Sequence, residues 1–311
     1  MRRALLLTLA LGASLVPQTA TASCDGIRPT RQLVGRFTKS VSQAFDVVTM
    51  LDATRATFIA GTSNRYPLKL LGSSTDACLN GGTILGTYDR TWSWKQMHDT
   101  YNNAGVRVAL DGLMVEGLQI ENVTDGVRAL GRGWVVADSR MRYIRDDAIE
   151  ADTLTGGVIR DVLIDGTYMG FSARPSPSFT GTGAGEVTYL DGVLVRLQAM
   201  PGPDKGPSPG HGAFFKLDRW DDPAHSRSPR YVIRNSIFMA EQVGFPGVDR
   251  MGLPPAELVR ECSNNQFLWL GSGPPPGRWP SNCVQVLMGP TARAAWDAAV
   301  RRWKDRHGDT D

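Results

Sequence analysis

The arrangement of apolar and polar positions is most regular between about Val106 and Val243. A six-residue unit, Val115-Glu116-Gly117-Leu118-Gln119-Ile120, recurs as Val136-Ala137-Asp138-Ser139-Arg140-Met141 and as Ile159-Arg160-Asp161-Val162-Leu163-Ile164. Two further copies are Leu190-Asp191-Gly192-Val193-Leu194-Val195 and Ile233-Arg234-Asn235-Ser236-Ile237-Phe238. The offsets are 21 (115 to 136), 23 (136 to 159), 31 (159 to 190) and 43 (190 to 233). The two longer steps need insertions, and Pro175 to Gly185 and Pro201 to Gly212, rich in Pro, Gly, Ser and Thr, supply them. The first and last positions of the unit are aliphatic or aromatic throughout. Alternation of period two puts one side of a short strand inward, and repetition turns such positions into apolar columns. The column between them reads Gly117, Asp138, Asp161, Gly192, Asn235, the residue types that best tolerate positive φ. A tight bend between two short strands in every repeat is therefore predicted. No apolar 3.6-residue period runs through the region.

These columns predict an all-β chain, a right-handed parallel β-helix or solenoid of one domain over 23–290, with a β-sandwich as the structural alternative. Residues 291–311 form an amphipathic helix and tail. Trp296, Ala299, Val300 and Trp303 fall at helical spacing and Gly308 suits the stop, and the helix is expected to cover one end of the coil stack. Ser42 to Val48 reads either as a capping helix or as a first coil.

Composition adds a compartment. Met1-Arg2-Arg3, an apolar run from Ala4 to Val16 and Ala20-Thr21-Ala22 make a secretory signal peptide over 1–22, so a secreted or periplasmic protein is expected. Four cysteines, Cys24, Cys78, Cys262 and Cys283, favour disulfides in an exported chain. Of three connectivities, Cys24 with Cys78 and Cys262 with Cys283 is preferred. With 34 basic and 31 acidic residues the net charge is +3, which gives no reason to expect nucleic acid. No transmembrane segment follows the leader, and a monomer is expected.

The runs Asn122-Val123-Thr124-Asp125-Gly126, Ile144 to Asp152 and Leu163 to Ser172 resemble bacterial right-handed parallel β-helix repeat proteins of the pectin-lyase-like superfamily, a subfamily of unassigned activity. The resemblance covers roughly Gly81 to Val243 and implies work on extracellular, uronate-rich polysaccharide. The W-x-D-H pattern of pectate lyases is missing, the hydrolase set is echoed only by Asp146-Asp147 and Gly210-His211-Gly212, and the esterase motifs are missing too.

A second aligned set starts at a bend: Asp125-Gly126-Val127-Arg128, Asp146 to Glu150, Met169 to Arg174 and His211 to Lys216. Aligning Asp147 with Gly126 and Gly170 and alternating inward and outward positions puts Arg128, Glu150, Arg174 and Lys216, with Ser172 and Phe214, on one outer face. Asp146, Asp147 and Asp152 lie near its rim. Such a face suits β-elimination on a uronate polymer, with Lys216 as base, Arg174 as carboxylate clamp, and Asp147 and Glu150 also in the catalytic set. Arg128, Arg145, Trp220 and His211 are candidate substrate-binding residues. Asp146, Asp147, Glu150 and Asp152 could hold Ca²⁺, a hard cation that favours oxygen. Two other readings compete: a non-catalytic polysaccharide-binding or surface-adhesion protein, and a glycoside hydrolase using a carboxylate pair such as Asp147 with Glu150 or Asp152.

Overall fold

The computed structural model describes residues 23–62, 64–75, 77–101, 103–202, 209–244 and 251–309. The expected leader over 1–22 lies outside them. Its named strands join one sheet of 22 strands, and the pairings between them are parallel.

Three hydrogen-bonded ladders organise the sheet. The first stacks Val41–Ala44, Leu68–Leu71, Ala104–Ala109, Asp125–Ala129, the ends of Arg140–Glu150 and Leu163–Ala173, and Phe215–Leu217. The second carries the column Val115, Val136, Ile159, Leu190, Ile233 in direct register, and Cys262 extends it. The third carries Ile120, Met141, Ile164, Val195, Phe238 and Phe267. Residues of both columns belong to one continuous buried cluster. Between the second and third ladders the bend column takes left-handed backbone at Gly117 (φ 71), Asp138 (φ 49), Asp161 (φ 49), Gly192 (φ 68) and Asn235 (φ 51). Side chains reinforce it, Asn264 donating to Asn235 (2.8 Å) and Asn235 to Asp191 (2.7 Å).

Round one axis the sheet is nearly closed. Sixteen parallel strands turn through 315°, an all-parallel β-barrel in a single large domain. This closure corrects the expected right-handed parallel β-helix solenoid, and the pectin-lyase-like resemblance falls with it. The physical reason lies in what a column can say. It fixes which residues neighbour one another across a ladder, and in the second and third ladders those neighbours are as read; it does not fix the angle through which the whole sheet turns.

Other local expectations are also revised. Val41–Ala44 is a strand of the first ladder, not a capping helix. A short helix, α1 (Trp94–Thr100), forms in the aromatic loop behind a capping box of Ser93 and Gln96. The C-terminal helix, α2 (Gly289–His307), ends on left-handed Gly308 as anticipated. It lies along a flank of the third ladder rather than across an end. Ala292, Trp296, Ala299 and Trp303 pack on Leu163, Leu194, Met239 and Leu268, one apolar residue from each of four successive strands. Nineteen helical residues reach about 28 Å, enough to cross five or six strands about 4.8 Å apart. Disulfides join Cys24 to Cys78 and Cys262 to Cys283. No helix among the described residues is long and apolar enough to cross a membrane.

Candidate functional site

The first ladder positions the densest group of charges. Its inward residues Val127, Ile149, Phe171 and Phe215 are in register and buried. Period-two alternation therefore sends the next residues, Arg128, Glu150, Ser172 and Lys216, to the opposite side in an unbroken row that continues at the other end through Arg107 and Lys69. The row assembles Arg128, Glu150 and Lys216 from strands far apart in sequence, as the alternation predicted.

At the bend before the row, Lys216 Nζ donates to Asp147 Oδ2 at 2.7 Å, and the Asp147 side chain is 1% exposed. One register step carries Val127 onto Ile149, so Asp125 stands over Asp147, whose backbone N–H donates to Asp125 Oδ1 at 3.3 Å. Carboxylate oxygens of Asp125, Asp146 and Asp147 lie within 4.8 Å of one another. Toward the strand end, Arg128 bridges Glu150 (3.1 Å) and Asp152 (3.0 Å). Arg174 is exposed, but its charge acts on both Asp146 and Lys216.

Burial of so many acids around one ammonium has a definite electrostatic result. Desolvation, with the negative charge of Asp147, pushes Asp146 up to about 7, while Lys216 opposes the rise. Desolvation and the charges of Asp147 and Asp152 push Glu150 to about 9 against the pull of Arg128. Asp125 is raised well above the carboxylate range by burial and by Glu150. Lys216 is raised too: burial alone would lower it, but Asp147 and Asp146 hold the ammonium charged. A lysine held charged is not a resting base at neutral pH, so the role first assigned to Lys216 does not follow from this environment. Of these groups, Asp146 is the one that its surroundings bring closest to neutrality. Asp147 Oδ1, Ser172 Oγ and Thr124 Oγ1 are buried beside these groups with no hydrogen-bond partner among the described residues.

The remaining sequence candidates are placed differently. Arg145 is 1% exposed and acts as a strut, donating to the carbonyls of Trp92 (3.0 Å) and Pro201 (3.1 Å) and so holding two loops together. His211 is fully buried, its Nδ1 on the Gly212 carbonyl and its ring pushed toward neutrality by desolvation. Trp220 packs in the core and lines a separate pocket with Leu253, Pro255 and Arg278. Phe214, expected outside, is fully buried against Phe238, Phe267 and Trp279. The residue that sequence reasoning missed is Asp125. Aligning Gly126 with Asp147 was one residue out. In the true register Gly126 meets Ala148, whose carbonyl oxygen would lie 2.4 Å from any Cβ at Gly126. The run of small residues Gly105, Gly126, Ala148 and Gly170 in that column, which ends at Phe214, would have revealed the slip.

The class defined by these features is an all-parallel, nearly closed barrel with a buried carboxylate–lysine cluster on its first ladder. No known family model matches the chain, and no curated protein or solved structure is significantly similar to it. Uronate β-elimination, its hydrolase alternative and the adhesion alternative all rested on the β-helix scaffold, and they are withdrawn with it.

Proposed function

We propose that the first ladder carries a general acid–base centre in which Asp146 exchanges the proton, Lys216 supplies a fixed positive charge and Asp147 holds that charge in place. The observation that supports this reading is the convergence of three carboxylates and one ammonium, drawn from three strands of one ladder with Leu163–Ala173 between the last two. General acid–base catalysis is most efficient when the exchanging group titrates near the working pH, and desolvation gives Asp146 that property. Glu150, held protonated at neutral pH, adds a proton donor on the same row. Arg174 offers a site for an anionic group on the ligand.

The ligand proposed from sequence, a polysaccharide, enters as a substance to be tested. Calcium at Asp146, Asp147, Glu150 and Asp152 fits poorly, because Lys216 occupies Asp147 and Arg128 occupies Glu150 and Asp152. Export to an oxidising compartment is proposed as well, supported by the two disulfides. The experiment is a carboxyl NMR titration of aspartate-labelled protein, with Asp146→Asn for assignment. A turnover screen over acidic and neutral polysaccharides and chromogenic esters, with and without Ca²⁺, accompanies it. The reading expects one aspartate titrating near 7 and a turnover that rises through that pH and is lost in Asp146→Asn. Titration of Asp146 below pH 5, or turnover indifferent to Asp146→Asn, would end it.

A further inference from the structure

We propose a divalent transition-metal site, of the zinc type, formed by Asp138, Asp161 and His307 where the end of α2 meets the bend between the second and third ladders. Asp138 and Asp161 occupy successive places in the left-handed bend column, so the fold itself stacks their carboxylates. The last turn of α2 brings His307 over both. Its Nε2 lies 3.4 Å from Asp138 Oδ1 and 3.5 Å from Asp161 Oδ2, and one ligand atom from each of the three residues lies within 4.8 Å of the others.

These separations are long for a charged hydrogen bond, which closes to about 2.7–2.9 Å. They match a tetrahedral ion: metal–ligand bonds of about 2.0–2.1 Å set ligand atoms roughly 3.3 Å apart. A second, independent observation concerns the other ring nitrogen. His307 Nδ1 lies 2.7 Å from the Trp303 carbonyl oxygen, and the ring stacks on Trp303. An Nδ1–H donated to that carbonyl leaves the Nε2 lone pair facing the two carboxylates, the arrangement that metal-bound histidines adopt. Asp161 has the matching division of labour, with Oδ1 bound to Arg306 at 2.7 Å and Oδ2 turned to the histidine. The His307 side chain is 17% exposed, so a water can complete a fourth position. One imidazole with two carboxylates suits Zn²⁺ or Co²⁺ better than Ca²⁺, which prefers six to eight oxygens. The site lies on the outside of the bend and is independent of the acid–base centre. Its consequence is mechanical: the ion would staple α2 to the sheet.

The test uses the untagged full chain, stripped with chelator and titrated with Zn²⁺ by calorimetry, with thermal unfolding followed with and without the ion. One equivalent should bind and raise Tm. Co²⁺ should give the visible absorption of a four-coordinate site. His307→Ala and Asp138→Asn should each weaken binding at least tenfold and abolish the Tm rise. Should either variant fail to fold, the Nε2 signal of His307 in the wild-type chain decides, since only a bound histidine shifts on adding Zn²⁺. No binding by the wild-type chain, unaltered affinity in folded His307→Ala, or an unmoved Nε2 signal would overturn the site. The last two outcomes would leave His307 as a plain ion-pair partner of the two aspartates.

Discussion

Two flanks of the same sheet solve opposite problems. Where Leu163–Ala173 lies in the third ladder, it presents Leu163 outward, and the strands beyond it present Leu194, Met239 and Leu268, an apolar strip sealed by α2. Where the same strand passes into the first ladder, its outward Ser172 stands between Glu150 and Lys216, and the strip is charged. Strand geometry is common to both; only the residue types at outward positions differ. One flank gains stability by excluding water. The other holds carboxylates away from water at a cost in stability and gains groups whose protonation is out of the ordinary. Departures from optimal burial of this kind are expected where a protein's function resides.

Breaking the apolar flank should have the largest effect. Trp303 is 2% exposed and its Nε1 donates to the Asp161 carbonyl at 2.8 Å. Trp303→Ala should cost about 3–5 kcal/mol by loss of burial and the cavity left behind, read from urea unfolding, with α2 becoming open to proteolysis near Arg301 and Arg302. A wild-type midpoint would show that the helix contributes little to the fold.

On the charged flank, Lys216→Met removes the one cation among the described residues that contacts Asp147 and leaves a buried carboxylate uncompensated. A loss of about 3–5 kcal/mol at pH 8 is expected, shrinking toward pH 4 as the acids take up protons. Equal losses at both pH values would mean that Lys216 acts by packing rather than by charge.

The charged flank should also set the pH dependence of stability. Glu150 rises from an ordinary 4.5 to about 9 and Asp146 from 3.8 to about 7. The folded chain therefore keeps protons that the unfolded chain has released, and stability falls as pH climbs from about 4 to 9 and then levels. Glu150→Gln should flatten the upper part of that decline, between pH 7 and 9, and leave the lower part in place. A wild-type profile without slope in that window would refute the shifts. The smallest effect is expected at the bend column: Asn264, at φ 53, should lose about 1–2 kcal/mol on replacement by Ala, which tolerates left-handed backbone poorly.

Much of the site was legible because alternation is local. Once Phe171 and Phe215 are inward, Ser172 and Lys216 must face the other way, and this holds whatever the sheet does globally. Asp125 was hidden because the offset between strands changes by one residue at a bend, and only the small residues Gly126, Ala148 and Gly170 mark the true register. Phe214 was misplaced for a related reason: alternation was carried one residue beyond the start of Phe215–Leu217, where the chain is still turning. Asp147 and Lys216 were both named, yet that charge is fixed on Lys216 and the titrating role left to Asp146 depends on how deeply each is buried. A sequence states no depth.

By itself the sequence determined the two apolar columns of the repeat, the neighbours within them and the bend between them, since period-two alternation and tolerance of positive φ act over a few residues. It also placed the C-terminal helix and its apolar face. Only the tertiary structure decided that the parallel sheet turns through 315°, that α2 lies along a flank, and that three carboxylates gather beside one lysine. Those outcomes come from strand twist summed over the whole sheet and from side-chain volumes meeting across distant segments, neither of which is carried by any single stretch of chain.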